Sequence, residues 1–268
     1  MTLAVPCLIC VSLIGPEITP TMLASISMAT AIAHFAVEIA GFAGFKVFTL
    51  SLRTFLTAIL CGNTGKVGLP LAFFAFDQTG LGYVIVVFVI MAIMSVTFGV
   101  WLVAGGGIFG TAPKEPSVPK TLLGGLFMAQ GWLPPAFSNN DLTLLSQMAI
   151  PLILITLRVA VAKLHSGQFA QANALAFIKM IICSAAGWAV GRHFDLEPIA
   201  FAILILQWTT PVAVTSFLLA EKYGADAQPV AGLVIVSSLM SVLRSASFAN
   251  NFASTRRNVC SLITTFSI

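Results

Sequence analysis

The chain has 268 residues, 58% of them hydrophobic and 8% charged, with a formal net charge of +4 and a mean hydropathy of +1.01. Soluble domains carry about 25% charged residues, so this composition excludes a soluble fold and requires a bilayer as part of the solvent. The sequence has no basic run and no basic patch interleaved with aromatics, which excludes nucleic acid as a partner.

A spanning helix needs about 20 mostly apolar residues, and nine segments approach that: Leu3–Gly15, Met22–Phe45, Phe55–Phe74, Leu81–Gly105, Thr121–Pro134, Leu144–Val161, Ala174–Gly191, Ile199–Leu219 and Val230–Leu243. The first has no Lys or Arg before it, so it is expected as a retained helix, not a cleaved signal. Its Cys7 and Cys10 form a C-x-x-C with no second pair and no flanking His. Both are expected as small hydrophobes, with no metal or redox role. Turn residues mark the connectors: Gly15-Pro16, Thr79-Gly80, Pro134-Pro135, Asn139-Asn140 and Glu197-Pro198.

The charges on those connectors alternate. One side carries Lys46, Arg53, Lys114, Lys120, Lys163 and Lys222; the other carries Glu17, Asp77, Asp141, Asp195 and Glu197, with Arg192 its one cation. Cytoplasmic connectors are enriched in Lys and Arg, so the first helix is expected to start inside and the chain after Leu243 to emerge outside. The tail breaks this pattern, because Arg244, Arg256 and Arg257 would then all lie outside. Residues 244–268 are expected as an atypical ending.

Two segments resemble each other. Ala75-Phe76-Asp77-Gln78-Thr79-Gly80 precedes a helix holding Met94-Ser95-Val96, and Ala220-Glu221-Lys222-Tyr223-Gly224 precedes one holding Met240-Ser241-Val242. Each follows a helix interrupted by Gly or Pro, at Asn63 to Pro70 and at Thr209 to Val214. An odd number of spans separates the copies, so they would insert with opposite topology. Paired interrupted helices in inverted repeats point to a binding site near the midplane. Breaking a helix frees backbone groups that are tolerated only where protein or a wet cavity satisfies them. The exposed half-helix N-termini favour anions.

The residues at these breaks carry a resemblance. Cys61-Gly62-Asn63-Thr64-Gly65-Lys66-Val67-Gly68-Leu69-Pro70-Leu71 resembles the first crossover motif of the auxin efflux carrier family. Residues Pro211 to Gly224 resemble the second crossover and its exit, Ala149 to Leu154 the helix after the middle loop, and Leu3 to Leu8 the family's second helix. The resemblance covers nearly all of Leu3 to Leu243 in order. It implies an all-α polytopic membrane protein, with about nine helices present of a ten-helix inverted-repeat fold holding two crossed broken helices. It implies residues 1–105 as a first repeat lacking its first helix, 106–120 as a cytoplasmic middle loop and 121–243 as the second repeat. It also implies transport of organic anions, auxin in plants and malate- or malonate-like dicarboxylates among bacterial relatives, and a homodimer joined through the scaffold half. This sequence departs from the family pattern at Lys66, usually neutral, at Arg158, usually small, and at Thr215, often Asn or Pro.

Asn63 and Thr64 are the first candidates for substrate contact, since an amide and a hydroxyl can donate to a carboxylate beside freed N–H groups. Gly65, Pro70 and Pro211 are expected to hold the helices broken, Pro by removing a donor and crowding the preceding turn. Lys66 lies about a dozen residues from Arg53, roughly 18 Å at helical rise, near the midplane, where a Lys is costly; it is expected to pair with the substrate carboxylate. Thr209, Thr210 and Thr215 offer hydroxyls at the second break, which Gln207 could join. His34 and Glu38 are four apart on one helix face and form a candidate proton-coupling pair.

The function expected is secondary active transport of a small organic anion by alternating access in a bacterial inner membrane, driven by H+ or Na+. No cofactor and no metal are expected. No G-x-x-x-x-G-K-[ST] loop, H-E-x-x-H or G-x-S-x-G occurs, which argues against ATP-driven transport and against an enzyme. A remnant of such a carrier that inserts but does not cycle is the alternative.

Overall fold

The computed structural model describes residues 20–47, 50–103, 155 and 169–241. The expected spans Leu3–Gly15, Thr121–Pro134 and Leu144–Val161 therefore lie outside the described residues or nearly so. The middle loop 106–120, Arg158, Cys7, Cys10 and the tail after Leu243 also lie outside them.

Every regular element among the described residues is helical. Helix α1 spans Pro20–Val47. A π-helical turn, Leu52–Leu56, runs into α2, Thr57–Leu60. A second π turn, Thr64–Gly68, leads into α3, Leu69–Met94. A third, Ser95–Gly99, leads into α4, Val100–Val103. Then follow α5, Phe169–His193, α6, Pro198–Trp208, and α7, Val214–Lys222. The last described helix is α8, Ala227–Ser241. Among the described residues, three stretches are long and apolar enough to cross a membrane: Thr21–Lys46, Gly80–Val103 and Gln171–His193.

Helix α3 is not one straight rod. A Cβ at Gly65 would lie 2.8 Å from Phe88 Cε2, yet 23 residues of straight helix span about 35 Å. Ser95 Oγ donates to Leu60 O at 3.1 Å, and Thr57 Oγ1 donates to Gly99 O at 3.5 Å. These pairs are centred near Asp77 and Gln78, so the chain doubles back where the Thr79-Gly80 connector was expected. It does so within helical backbone and not through an open turn.

The side chains are sorted as lipid requires. On α1 the large apolar residues Met28, Ile32, Phe35, Ile39 and Phe42 are exposed, while Ile26, Ala29, Thr30, Ala33, His34 and Val37 are buried. Small residues on the inner face let helices approach closely, and the polar groups sit inside, where other protein atoms can meet them. Helix α1 packs on α3 and α5, and α6 packs on the same two. Two of these four helices, α3 and α6, each lead to an interruption of the helical backbone.

Arg53 and Tyr83 tie sequence-distant segments together at opposite ends of the bundle. Arg53 Nε donates to Val103 O at 3.0 Å and its Nη2 to Tyr223 O at 3.2 Å, placing a cation at the C-terminal, partly negative ends of α4 and α7. Tyr83 Oη donates to Glu197 Oε2 at 3.1 Å.

Candidate functional site: two crossed helix breaks

The first break is Cys61-Gly62-Asn63, between α2 and the π turn that opens α3; the second is Thr209 to Ala213, between α6 and α7. They meet. Asn63 N–H donates to Pro211 O at 2.7 Å, Ala213 N–H donates to Cys61 O at 2.8 Å, and Gly62 faces Val212 in an isolated antiparallel bridge. Each break thus satisfies backbone groups that the other frees, which is what permits irregular backbone inside an apolar bundle. Ser237 on α8 accepts the Val212 N–H at 3.0 Å. The approach is close enough that a Cβ at Gly62 would lie 2.9 Å from Thr210 Oγ1, so glycine is needed there.

The two breaks differ in what they leave over. At the first, Asn63 O accepts both the Val67 N–H at 3.0 Å and the Gly68 N–H at 3.2 Å. The N–H groups of Thr64, Gly65 and Lys66 are therefore first-turn donors at a positive helix end. The Asn63 side chain caps none of them; it is buried, and its Nδ2 has no hydrogen-bond partner. Thr64 is buried beside it and Lys66 is half-buried.

At the second break the carbonyl end is closed locally. Thr209 Oγ1 donates to Ile205 O at 2.8 Å and to Leu206 O at 3.1 Å. Thr210 Oγ1 donates to Gln207 O at 2.7 Å. This back-bonding is a common use of Thr in membrane helices. Thr210 O in turn accepts from Lys179 Nζ at 2.7 Å. Lys179, on α5, is 3% exposed. Between it and the break lies a cavity of about 20 Å³ lined by Thr209, Thr210, Ser237 and Ser241 among others, room for one water-sized occupant.

A third group sits where α1 meets the crossover. His34 Nε2 is 3.8 Å from Glu38 Oε1, an ion-pair distance longer than a hydrogen bond. The His34 ring lies 5.4 Å from that of Trp208. Both His34 nitrogens, Glu38 Oε1, Trp208 Nε1 and the Gln207 carboxamide are buried and lack hydrogen-bond partners. The Gln207 carboxamide occupies the space a Cβ at Gly68 would need. That contact accounts for glycine in the first crossover motif.

The structure thus brings together Asn63, Thr64, Thr209, Thr210 and Pro211, with Gly65 and Lys66 on the next turn and His34 near Trp208. Lys66 has no ion pair or hydrogen bond among the described residues. Thr215 is exposed on α7. Pro70 lies at the start of α3 beyond the π turn, while Pro211 lies in the break itself. Lys179 escaped the sequence reading because its helix was expected to begin at Ala174, which left it near an end. The helix begins at Phe169, which puts Lys179 about 15 Å in. The signal was present: a lone cation in the run Phe177-Ile178-Lys179-Met180-Ile181-Ile182, the argument that selected Lys66. Among the described residues no group of three His, Cys, Asp or Glu is placed to hold a metal, and Cys61 and Cys183 are buried free thiols.

Apolar spanning helices around two mutually paired breaks define a helical membrane transporter. The family model described as membrane transport protein matches residues 111–248, just over half of the chain. The chain belongs to that family, which includes the auxin efflux carriers. The matched stretch contains the whole second break with Lys179, Ser237 and Ser241. No individually curated protein matches the chain.

Proposed function

We propose that this transporter is a secondary carrier of a small organic anion, a malate- or malonate-like dicarboxylate or an auxin-like carboxylate, in a bacterial inner membrane. The observation that carries this reading is the donor-rich first break: an unpartnered, buried Asn63 amide beside first-turn N–H groups. A carboxylate accepts from such donors strongly, and half-helix N-termini aimed at anionic substrate groups are how carriers hold them. Asn63 and Thr64 would donate to one carboxylate. The Lys66 ammonium would supply the charge, while the hydroxyls of Thr209 and Thr210 stay committed to their own helix carbonyls.

Alternating access would move the paired breaks as one body against a scaffold, which would also hold two copies of the chain together. Their backbone hydrogen bonds favour joint motion over separate motion. His34, buried against Trp208, and Glu38 one turn on would exchange the coupling proton. The family match supports transport, and the geometry supports an anion.

The test is uptake of radiolabelled malonate or malate, with an auxin-like monocarboxylate in parallel, into proteoliposomes. Asn63→Ala is expected to lower the initial rate at least tenfold, and Lys66→Met to raise KM more than it lowers kcat. Rates unchanged in both variants would sink the anion site.

A further inference from the structure

Lys179 has no role in the anion site just described, and its surroundings have a chemistry of their own. The Nζ sits 2.7 Å from Thr210 O, at the C-terminal end of the half-helix α6, where the helix dipole is negative. The adjoining cavity of about 20 Å³ is too small for a dicarboxylate. Its oxygens are neutral: the Thr210 carbonyl and the hydroxyls of Thr209, Ser237 and Ser241, with no carboxylate in the lining. Unwound carbonyls and half-helix C-termini are where carriers coordinate alkali cations, and a neutral oxygen set suits a monovalent ion. An ammonium at this depth is costly, is held by backbone carbonyls or other charges where it occurs, and marks a functional position.

We propose that Lys179 is a tethered cation: its ammonium stands at an alkali-cation position of the second break, so that the chain takes no Na+ there. The inference rests on the reading of the chain as an ion-coupled carrier and deepens it, leaving the proton as the coupling ion. Helix α5 is thereby pinned to the second break through charge and not through packing alone. Removing the ammonium while leaving an oxygen should uncover the cation site.

The experiment is thermal unfolding of the purified full chain without substrate, in NaCl against choline chloride at equal ionic strength. Wild type is expected to give one Tm in both salts. Lys179→Ser is expected to melt lower in choline and to gain a few degrees in Na+ specifically, saturably, as one-site binding to the folded state requires. A Na+-specific rise in wild type, or none in folded Lys179→Ser, overturns the proposal. If Lys179→Ser folds only in Na+, the proposal stands. If it folds in neither salt, Lys179→Ala supplied with methylammonium decides: recovery of folded protein supports the tethered cation, and no recovery overturns it. A purely structural lysine would produce no cation selectivity. Because no substrate is present, a chain that transports no anion still answers.

Discussion

The two breaks are the same device made with opposite remainders. At Cys61 to Asn63 the chain leaves donors over: an unpartnered Asn63 Nδ2 and three first-turn N–H groups. At Thr209 to Ala213 it leaves acceptors over, and covers them with two threonine hydroxyls and one ammonium. The serines of the two similar segments differ as well. Ser95 donates to Leu60 O at the end of α2, while Ser241 lines the small cavity at the second break. A crossing of two broken helices need not be chemically symmetric, then. Backbone pairing at its centre is shared equally, and side chains decide which arm keeps donors over and which has its acceptors covered.

The largest expected stability effect breaks the crossing itself. Gly68→Val would drive a side chain into the Gln207 carboxamide and destabilise the fold by about 1–3 kcal/mol, the usual cost of overpacking. Thermal unfolding measures it, and adding Gln207→Ala should recover part of the loss in a double-mutant cycle. Simple additivity would mean that the two residues do not contact.

Ser95→Ala sharpens the comparison more gently. It removes the side-chain donor to Leu60 O, where Gly62 N–H still donates at 3.0 Å, so about 1 kcal/mol is expected. Thr215→Ala, on an exposed position, should change stability by less than about 0.5 kcal/mol. A larger effect for Thr215 than for Ser95 would reverse the assignment of which side chains support the breaks.

His34→Gln leaves the volume and removes the titrating group. Its expected effect falls on the pH profile of uptake, which should flatten, and much less on Tm. An unaltered profile would remove the His34–Glu38 pair from coupling.

Much of the helical organisation was legible because lipid imposes simple rules. Apolar length marked the second, third, fourth, seventh, eighth and ninth expected spans, all at least partly within the described residues, and Asn63 with Pro211 marked the breaks. The ends of α5 were less legible. Ala170 to Ala174 is polar enough to look like a connector, so helix length was underestimated and Lys179 was overlooked. The reversal inside α3 was placed correctly at Thr79-Gly80, but its helical backbone was not foreseen, because turn-forming residues carry no information about how tightly a reversal closes.

The sequence by itself determined that the chain lives in a bilayer, where its helices are interrupted and that an amide stands at the first interruption. Hydropathy and helix-breaking residues act locally, within a turn or two. Only the tertiary structure decided that Asn63 N–H meets Pro211 O, that Gln207 fills the space beside Gly68 and that Lys179 meets Thr210 O. Those contacts join residues far apart in the chain, 31 positions in the last case. Partners at that range are chosen by which freed backbone group most needs one inside an apolar bundle.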